Sequence, residues 1–142
     1  MAQQMTDAEW REFVTAGTRT GALAVTRRDG RAHVTPVWFL LDGDDVVLTT
    51  HGSSLKARIL RRDPRAALSV DDQRPPYSFV TIEGTVTLSE DLGELRHWAT
   101  EIGRRYMGPE RAGEFGARNG VPGELLVRLR PAKVVAYRDI AA

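Results

Sequence analysis

The segment from Tyr77 to Leu88 alternates between two kinds of side chain with a period of two residues. That period belongs to a β-strand whose two faces meet different surroundings, one of them a core. One face carries Ser78, Val80, Ile82, Gly84, Val86 and Leu88, and the other carries Phe79, Thr81, Glu83, Thr85 and Thr87. Because this is the longest regular pattern in the chain, the fold has to contain a sheet that accommodates a long strand.

Shorter strands are predicted on both sides of it, over residues 21–27, 31–41, 46–50, 65–70, 125–130 and 134–137. Asp29 and Gly30 form a tight-hairpin signal between the first two, and a second turn follows at residues 42–45. We therefore expect the first three strands to form a meander. Pro131 is expected to separate the last two strands.

Helical spacing interrupts the strands in four places. Thr6 and Glu9 have the spacing of a capping box, which predicts a helix over residues 6–16. Further helices are predicted over residues 53–62, 91–106 and 109–118. The third helix has an apolar stripe of Leu92, Leu95, Trp98, Ala99, Ile102 and Tyr106. Six or seven largely antiparallel strands with three or four helices indicate one α+β, mostly β domain over residues 1–142, closed as a small barrel.

Composition and motif searches exclude several classes of protein. The chain has 142 residues, a net charge of +1 and no cysteine, which excludes disulfides, thiolate metal sites and cysteine nucleophiles. No apolar run approaches the ~20 residues of a membrane span, and the polar N-terminus lacks a signal-peptide pattern. The near-neutral charge argues against nucleic acid as a partner. We expect a cytoplasmic globular protein that binds neither membrane nor nucleic acid.

The residues that most often carry catalysis are sparse. His33, His51 and His97 lie far apart without metal-ligand spacing, so no metal site is expected. Phosphate-loop, dinucleotide-binding and nucleophile-elbow motifs are absent. The catalytic residues of the chain are therefore left unassigned by its motifs.

The most suggestive segment for ligand binding covers residues 49–65. It brings together two threonines at a strand end, a glycine turn and two serines that open a helix, whose free N–H groups suit a phosphate or carboxylate. Lys56 and Arg58 add cationic donors beside that helix start. Serine capping of an ordinary solvated helix explains the same pattern, so both interpretations stay open.

Two other segments carry features uncommon in strands. Pro36 lies inside a predicted strand and removes a hydrogen-bond donor, so residues 34–38 are expected at an edge or bulge that presents main-chain groups to a flat ring. Tyr77 follows two prolines and can stack on a ligand. The simpler alternatives are an edge strand with Trp38 in the core and a tyrosine that covers a barrel end.

Taken together, these segments resemble the pyridoxamine-phosphate-oxidase-like split-barrel superfamily. The resemblance rests on Gly21-Ala-Leu-Ala-Val, Gly30-Arg-Ala-His-Val-Thr-Pro-Val-Trp38, Ser54-Leu-Lys-Ala-Arg58, Arg62-Asp-Pro-Arg65 and Glu83-Gly-Thr85, in that order. The short length, Pro-Val-Trp and Lys-Ala-Arg are similar to members that use the deazaflavin coenzyme F420. The resemblance implies a six-stranded antiparallel split β-barrel that forms a homodimer with cofactor sites at the subunit interface.

The same resemblance implies a role for each segment. Lys56 and Arg58 would hold the cofactor phosphate, residues 34–38 would back the ring, and the partner subunit would contribute the loop at Tyr77. Arg61, Arg62 and Arg65 would attract an oligoglutamate tail. The implied cofactor-binding residues are Val34, Thr35, Pro36, Val37, Trp38, Thr49, Thr50, Ser53, Ser54, Lys56, Ala57, Arg58, Tyr77 and Ser78.

The activity implied by the resemblance is hydride transfer from reduced F420 to a small conjugated acceptor such as an enone, imine or quinone. A proton would come from Tyr77, Tyr106 or solvent. One alternative is an enzyme that uses flavin mononucleotide (FMN) on the same barrel. The other is a dimeric protein that binds or carries F420 without catalysis.

Overall fold

The computed structural model describes residues 2–142 as one eight-stranded sheet with four α-helices. The strands are β1 (Gln3–Gln4), β2 (Gly21–Thr26), β3 (Ala32–Val37), β4 (Leu40–Asp42), β5 (Asp45–His51), β6 (Arg65–Asp72), β7 (Ser78–Ser89) and β8 (Glu124–Arg138). The helices are α1 (Asp7–Thr15), α2 (Leu55–Arg62), α3 (Leu92–Met107) and α4 (Ala112–Asn119), with a 3₁₀ turn (Pro109–Arg111) before the last. None of these helices is long and apolar enough to cross a bilayer.

The order of the strands explains how the sheet curls. It runs β3-β2-β6-β7-β8-β5-β4, with β1 beside β8, and every pair is antiparallel. The outermost strands, β3 and β4, are consecutive in the chain and separated only by Trp38 and Phe39. So short a link spans roughly 11 Å at most, so the two ends of the sheet lie close together. Within residues 2–142 no ladder joins them, and the barrel keeps an open seam. The predicted mostly-β antiparallel fold is confirmed.

Three details of the predicted strands are wrong. The run 31–41 is divided, because β3 pairs with β2 whereas β4 pairs with β5, and the first three strands therefore form no meander. Pro131 does not end a strand, since a bulge in β8 accommodates it within the continuous strand. The sheet also has eight strands instead of the implied six, because the short β1 and β4 are added.

The bulge depends on a glycine in the neighbouring strand. Glu83 pairs with Lys133 but Gly84 pairs with Pro131, so Ala132 is the extra residue of β8. A Cβ placed on Gly84 would lie 1.9 Å from the carbonyl oxygen of Arg130. Glycine is therefore required for β7 and β8 to approach at this bend.

The core lies inside the barrel and extends under α1 and α2. The inward face predicted for β7 is confirmed, since Val80, Ile82 and Val86 are buried. α1 and α2 close the barrel with Trp10, Val14, Ile59 and Leu60, which belong to the same apolar cluster.

All four predicted helices are present, the last of them opening with the 3₁₀ turn, and one residue of the stripe predicted for α3 is not buried. The capping box of α1 is present, with Thr6 and Glu9 hydrogen-bonded to each other's backbone N–H at 2.9 and 3.2 Å. On α3, Leu95 is buried against the sheet, but Leu92 is 49% exposed. The helix first meets the sheet at Leu95, so its opening residue lies beyond the core.

The close approach at Gly84 is testable by a single substitution. We expect Gly84→Ala to lower the free energy of unfolding by about 1–3 kcal/mol, because the added methyl group meets backbone that has no rotamer to change. Urea unfolding measures this. Gly113→Ala is the matched control: nothing lies within 4 Å of a Cβ there, and alanine in a helix stabilises by up to about 1 kcal/mol. Equal effects of both substitutions would contradict the bulge.

Candidate functional site

A cleft of about 280 Å³ lies where the open seam of the barrel meets the helices. We call it the seam cleft. It is lined by Pro36, Val37, Trp38, Thr49, Lys56, Ala99, Ile102, Gly103, Phe115 and Asn119. The first five are predicted site residues from three separate segments of the sequence. The structure therefore brings together the edge strand, the end of β5 and the start of α2.

Trp38 forms one wall of the seam cleft and is not a core residue. It lies in the gap between β3 and β4 and is 36% exposed. Its indole stacks on the ring of Tyr106, with centroids 5.0 Å apart and planes 8° from parallel. The ring of Phe115 meets it at 5.6 Å and 57°. Tyr106 thus covers one face of the indole, while the remaining surface faces the cleft.

The start of α2 uses its two serines differently. The Ser54 hydroxyl accepts the backbone N–H of Ala57 at 3.1 Å and lies 3.1 Å from the hydroxyl of Thr50. The Ser53 hydroxyl lies on an exposed turn, 3.2 Å from Nδ1 of His51. Ser54 is therefore the helix cap. Thr50 and Ala57 are buried beneath it.

Lys56 and Arg58 face different clefts. Two residues along a helix turn by about 200°, and Arg58 accordingly lines a second cleft of about 520 Å³ between α2 and the β2–β3 hairpin. We call it the arginine cleft. It is lined by Arg27, Arg28, Asp29, Arg31, Leu55, Arg58, Ile59 and Arg62. Five arginines and one aspartate make it strongly cationic, which suits an extended anion.

Only one of the three arginines expected to attract a tail lines this cleft. Arg62 does, whereas Arg61 donates to the carbonyl of Gly52 at 2.6 Å. Arg65 pairs with Asp63 at 2.7 Å, and these hydrogen bonds lower the pKa of Asp63 to about 2. The other arginines of the cleft, apart from Arg58, are Arg27, Arg28 and Arg31 of the β2–β3 hairpin, which the sequence did not single out.

His33 on β3 is influenced by charged residues of both clefts. Partial burial lowers the pKa of its imidazole, and the positive charges of Arg27 and Lys56 lower it further. Arg27 belongs to the arginine cleft and Lys56 to the seam cleft. The imidazole is therefore close enough to both clefts to respond to a charge in either.

Two buried polar atoms near the clefts have no hydrogen-bond partner within the described part of the chain. They are the hydroxyl of Thr35 and Nε of Arg27. Buried polar groups are nearly always paired, and an unpaired one calls for an explanation. Thr35 directly precedes Pro36 and Val37 of the seam cleft, and Arg27 lines the arginine cleft. One unpaired atom therefore belongs to a residue of the arginine cleft, and the other belongs to the residue that precedes two seam-cleft residues in the sequence.

Tyr77 and Ser78 line neither cleft of their own chain. Tyr77 is 45% exposed and has a φ of 66°. Its carbonyl accepts the N–H of Ile140 at 2.9 Å, and the Ser78 hydroxyl accepts that of Asp139 at 3.2 Å. The contact predicted for this loop, with a cofactor on a partner subunit, stays a prediction.

Tyr106 is poorly suited to supply a proton. Its hydroxyl donates to the carbonyl of Arg19 at 2.8 Å and accepts the N–H of Phe39 at 3.3 Å. Burial raises the pKa of the phenol. With its proton engaged and its ionisation disfavoured, Tyr106 has a structural role.

The helical side of the seam cleft escaped sequence reasoning. Ala99 and Ile102 are buried, as their stripe predicts, but they also line the cleft, and Gly103, Phe115 and Asn119 carried no functional signal. A Cβ on Gly103 would lie 2.5 Å from the Cβ of Phe115, so α3 and α4 pack closely here. A glycine within a predicted helix is a recognisable mark of such an approach, and it is the signal that points to this wall.

A sequence profile of the family described as pyridoxamine 5′-phosphate oxidase matches residues 6–137. The chain belongs to this family. The match confirms the resemblance read from the separate segments of the sequence. A search of curated proteins found no match to the chain.

Solved structures of this fold support the family assignment. The crystal structure of Rv2991 from Mycobacterium tuberculosis is similar, with 28% identity, a TM-score of 0.85, and 97% of this chain and 89% of that one covered. An F420 reductase has 24% identity and a TM-score of 0.68 over 87% and 94% of the two chains. A FAD-binding protein from Mesorhizobium loti has 17% identity and a TM-score of 0.69, with 96% of each chain covered. Proteins that share this fold thus include an F420 reductase and a FAD-binding protein.

The positive charges of Arg27 and Lys56 near His33 predict how its imidazole titrates. We expect NMR to find the pKa of His33 below its ordinary value of about 6.5, and Lys56→Ala to raise it by removing a positive charge. Arg96→Ala, which removes a positive charge from an exposed position of α3, is the control and should leave the pKa unchanged. At pH values between the two pKa values, the folded state then binds fewer protons than the unfolded chain. The contribution of His33 to the free energy of unfolding is therefore complete above pH ~6.5 and is lost as the pH falls through the pKa of the folded state. A His33 pKa insensitive to Lys56→Ala would contradict this placement.

Proposed function

We propose that the protein is an oxidoreductase that uses the deazaflavin coenzyme F420, in its reduced form, to transfer hydride to a small conjugated acceptor. The observation that carries the proposal is the pair of clefts on opposite sides of α2, one with aromatic walls formed by Trp38 and Phe115 and one lined by five arginines. F420 joins a flat ring through a phosphate to an acidic oligoglutamate tail. Its three parts match the seam cleft, the start of α2 and the arginine cleft in that order.

The seam cleft suits the ring. Trp38 and Phe115 provide aromatic walls, and the edge strand β3 presents main-chain groups beside Pro36. The buried hydroxyl of Thr35 has no partner among residues 2–142, and a carbonyl or N–H at the edge of a flavin-like ring would supply one. The residues present therefore fit a cofactor of this kind.

The cations favour F420 over FMN. Lys56 and Arg58 flank the N-terminal turn of α2, where the helix dipole also favours a phosphate. FMN ends at its phosphate and has no group that extends into the arginine cleft. An oligoglutamate tail places carboxylates there, and carboxylates are the natural bidentate partners of arginine.

The chain's own contribution to the reaction is orientation and exclusion of water. When bound, a reduced deazaflavin supplies a hydride to an electron-poor double bond. Trp38, Ile102 and Phe115 form an apolar side of the seam cleft, which would exclude water beside a bound ring and strengthen the polar contacts there. Among the described residues, no acidic side chain lines this cleft. The proton is therefore expected from solvent or from Tyr77 of the partner subunit.

The outer face of the sheet supports a homodimer as part of the proposal. Residues that pair across the strands form two rows of mostly small, uncharged side chains. One row is Pro36, Ala22, Ser69, Thr81 and Val135, and the other is Val34, Ala24, Ala67, Glu83 and Lys133. Val34 is 57% exposed. A second copy of the chain against this face would bury both rows and lie beside the edge strand of the seam cleft.

Two alternatives make different use of the same site. In an FMN enzyme, the cofactor would not reach the arginine cleft. A carrier would bind reduced F420 without oxidising it. The lack of an acid in the seam cleft is the observation that keeps the carrier in consideration.

The deciding experiment is a fluorescence titration of the protein with F420 and, separately, with FMN. We expect F420 to bind more tightly and Lys56→Ala to weaken it by about 1.5–3 kcal/mol, the usual worth of a hydrogen bond to a charged group. Arg96→Ala, which removes a positive charge from an exposed position of α3, should leave the affinity unchanged. Unchanged affinity in Lys56→Ala would mean that Lys56 does not hold the phosphate. Tighter binding of FMN than of F420 would favour an FMN-dependent enzyme over an F420-dependent one.

A second pair of variants separates the tail from the phosphate in that titration. Arg28→Ala should weaken F420 but not FMN, because Arg28 lines only the arginine cleft. Arg96→Ala, an exposed position on α3, is the matched control. Oxidation of reduced F420 by enones or quinones then distinguishes an enzyme from a carrier.

The proposed dimer is tested by placing a charge on the outer face of the sheet, within the two rows of mostly small side chains. Ala67→Arg should give a monomer at concentrations where the unmodified chain is dimeric, because a buried unpaired charge is costly. Ala117→Arg makes the same change at an exposed position of α4 and should remain dimeric. Sedimentation equilibrium measures both, and a monomeric unmodified chain would refute the dimer.

A further inference from the structure

Residues in the last turn of α3 form hydrogen bonds with the link between β3 and β4, which consists of Trp38 and Phe39. The guanidinium of Arg105 donates to the carbonyls of Phe39 at 2.7 Å, Val14 at 2.8 Å and Gly17 at 2.9 Å. Its plane also lies over the ring of Phe39, 4.8 Å from the centroid. No carboxylate pairs with Arg105 within residues 2–142. This half-buried cation is thus bonded to main-chain carbonyls from three segments.

Tyr106 contacts the same link through both its hydroxyl and its ring. Its hydroxyl accepts the N–H of Phe39 at 3.3 Å and donates to the carbonyl of Arg19 at 2.8 Å. That N–H belongs to the peptide group between Trp38 and Phe39. The phenol ring lies parallel to the indole of Trp38, 5.0 Å away. Both the backbone after Trp38 and the plane of its side chain are fixed by one residue.

We infer that Arg105 and Tyr106 are positioning residues, which orient the indole of Trp38 as a preformed wall for a flat ring in the seam cleft. The inference rests on the proposed function for the identity of the ring, but the orientation of Trp38 stands on these contacts alone. Neither side chain lines the seam cleft, so both act through Trp38.

A preformed wall matters because Trp38 lies in the two-residue link between the edge strands. No ladder within residues 2–142 holds this link, so its conformation depends on contacts from outside the sheet. A tryptophan on a free link would have to be ordered when a ligand binds, at a cost in affinity. The contacts from α3 remove that cost before binding.

Acrylamide quenching of Trp38 tests the inference without any ligand. The Trp38 signal is obtained by subtracting the emission of Trp38→Phe. We expect Tyr106→Phe, which keeps the ring and removes the hydroxyl, to increase the quenching of Trp38. Arg105→Lys, which keeps the charge and loses the fork, should have the same effect. In the same variants, the dissociation constant of F420 should rise about fivefold or more.

Matched controls separate positioning from general stability. Tyr137→Phe changes a tyrosine that packs on Phe79 in the sheet, and Arg104→Lys changes the exposed neighbour of Arg105 that pairs with Glu101. Neither control should change the quenching or the affinity. Lower melting temperatures in Tyr106→Phe and Arg105→Lys, with quenching and F420 affinity both unchanged, would show a purely structural role and overturn the inference. If the unmodified protein binds neither F420 nor FMN, the proposed function fails, and the quenching comparison alone decides whether Trp38 is positioned.

Discussion

The two-residue link between β3 and β4 is the constraint on which the rest of this structure depends. It joins the two ends of an otherwise continuous sheet, so the sheet has to curl until those ends meet. Because the ends do not pair, the barrel keeps a seam, and Trp38 lies in that seam. The helices α3 and α4 cover the opening and bring Phe115 against the indole. A cleft at this position follows from how the chain closes its barrel.

Charge is distributed unevenly around that seam. The chain is nearly neutral overall, yet the arginine cleft collects five guanidinium groups beside a single aspartate. The first turn of α2 lies between this cleft and the seam cleft, and its backbone N–H groups reinforce the positive potential. Arg105 has a different role, because its guanidinium donates hydrogen bonds to backbone carbonyl oxygens. Arginine thus creates a cationic surface in one part of the molecule and stabilises the backbone in another.

The sequence predicts local features well and long-range pairing poorly. The capping box at Thr6, the alternation of β7 and the stripe on α3 were readable because each depends on a local period. The division at Trp38 and the continuous β8 were not, since both depend on which distant strand pairs with each segment. Likewise the candidate residues on β3, β5 and α2 were found, whereas Arg27 and Phe115 entered the clefts only through tertiary packing.

Glycines in the two covering helices determine the shape of the seam cleft. A Cβ on Gly103 would lie 2.5 Å from Phe115, and one on Gly116 would lie 2.0 Å from the hydroxyl of Thr100. The helices are therefore nearly in backbone contact, and Phe115 has no space to withdraw from Trp38. Larger residues at these glycines would force the helices apart and widen the cleft. The spacing of these two helices therefore determines the width of the seam cleft.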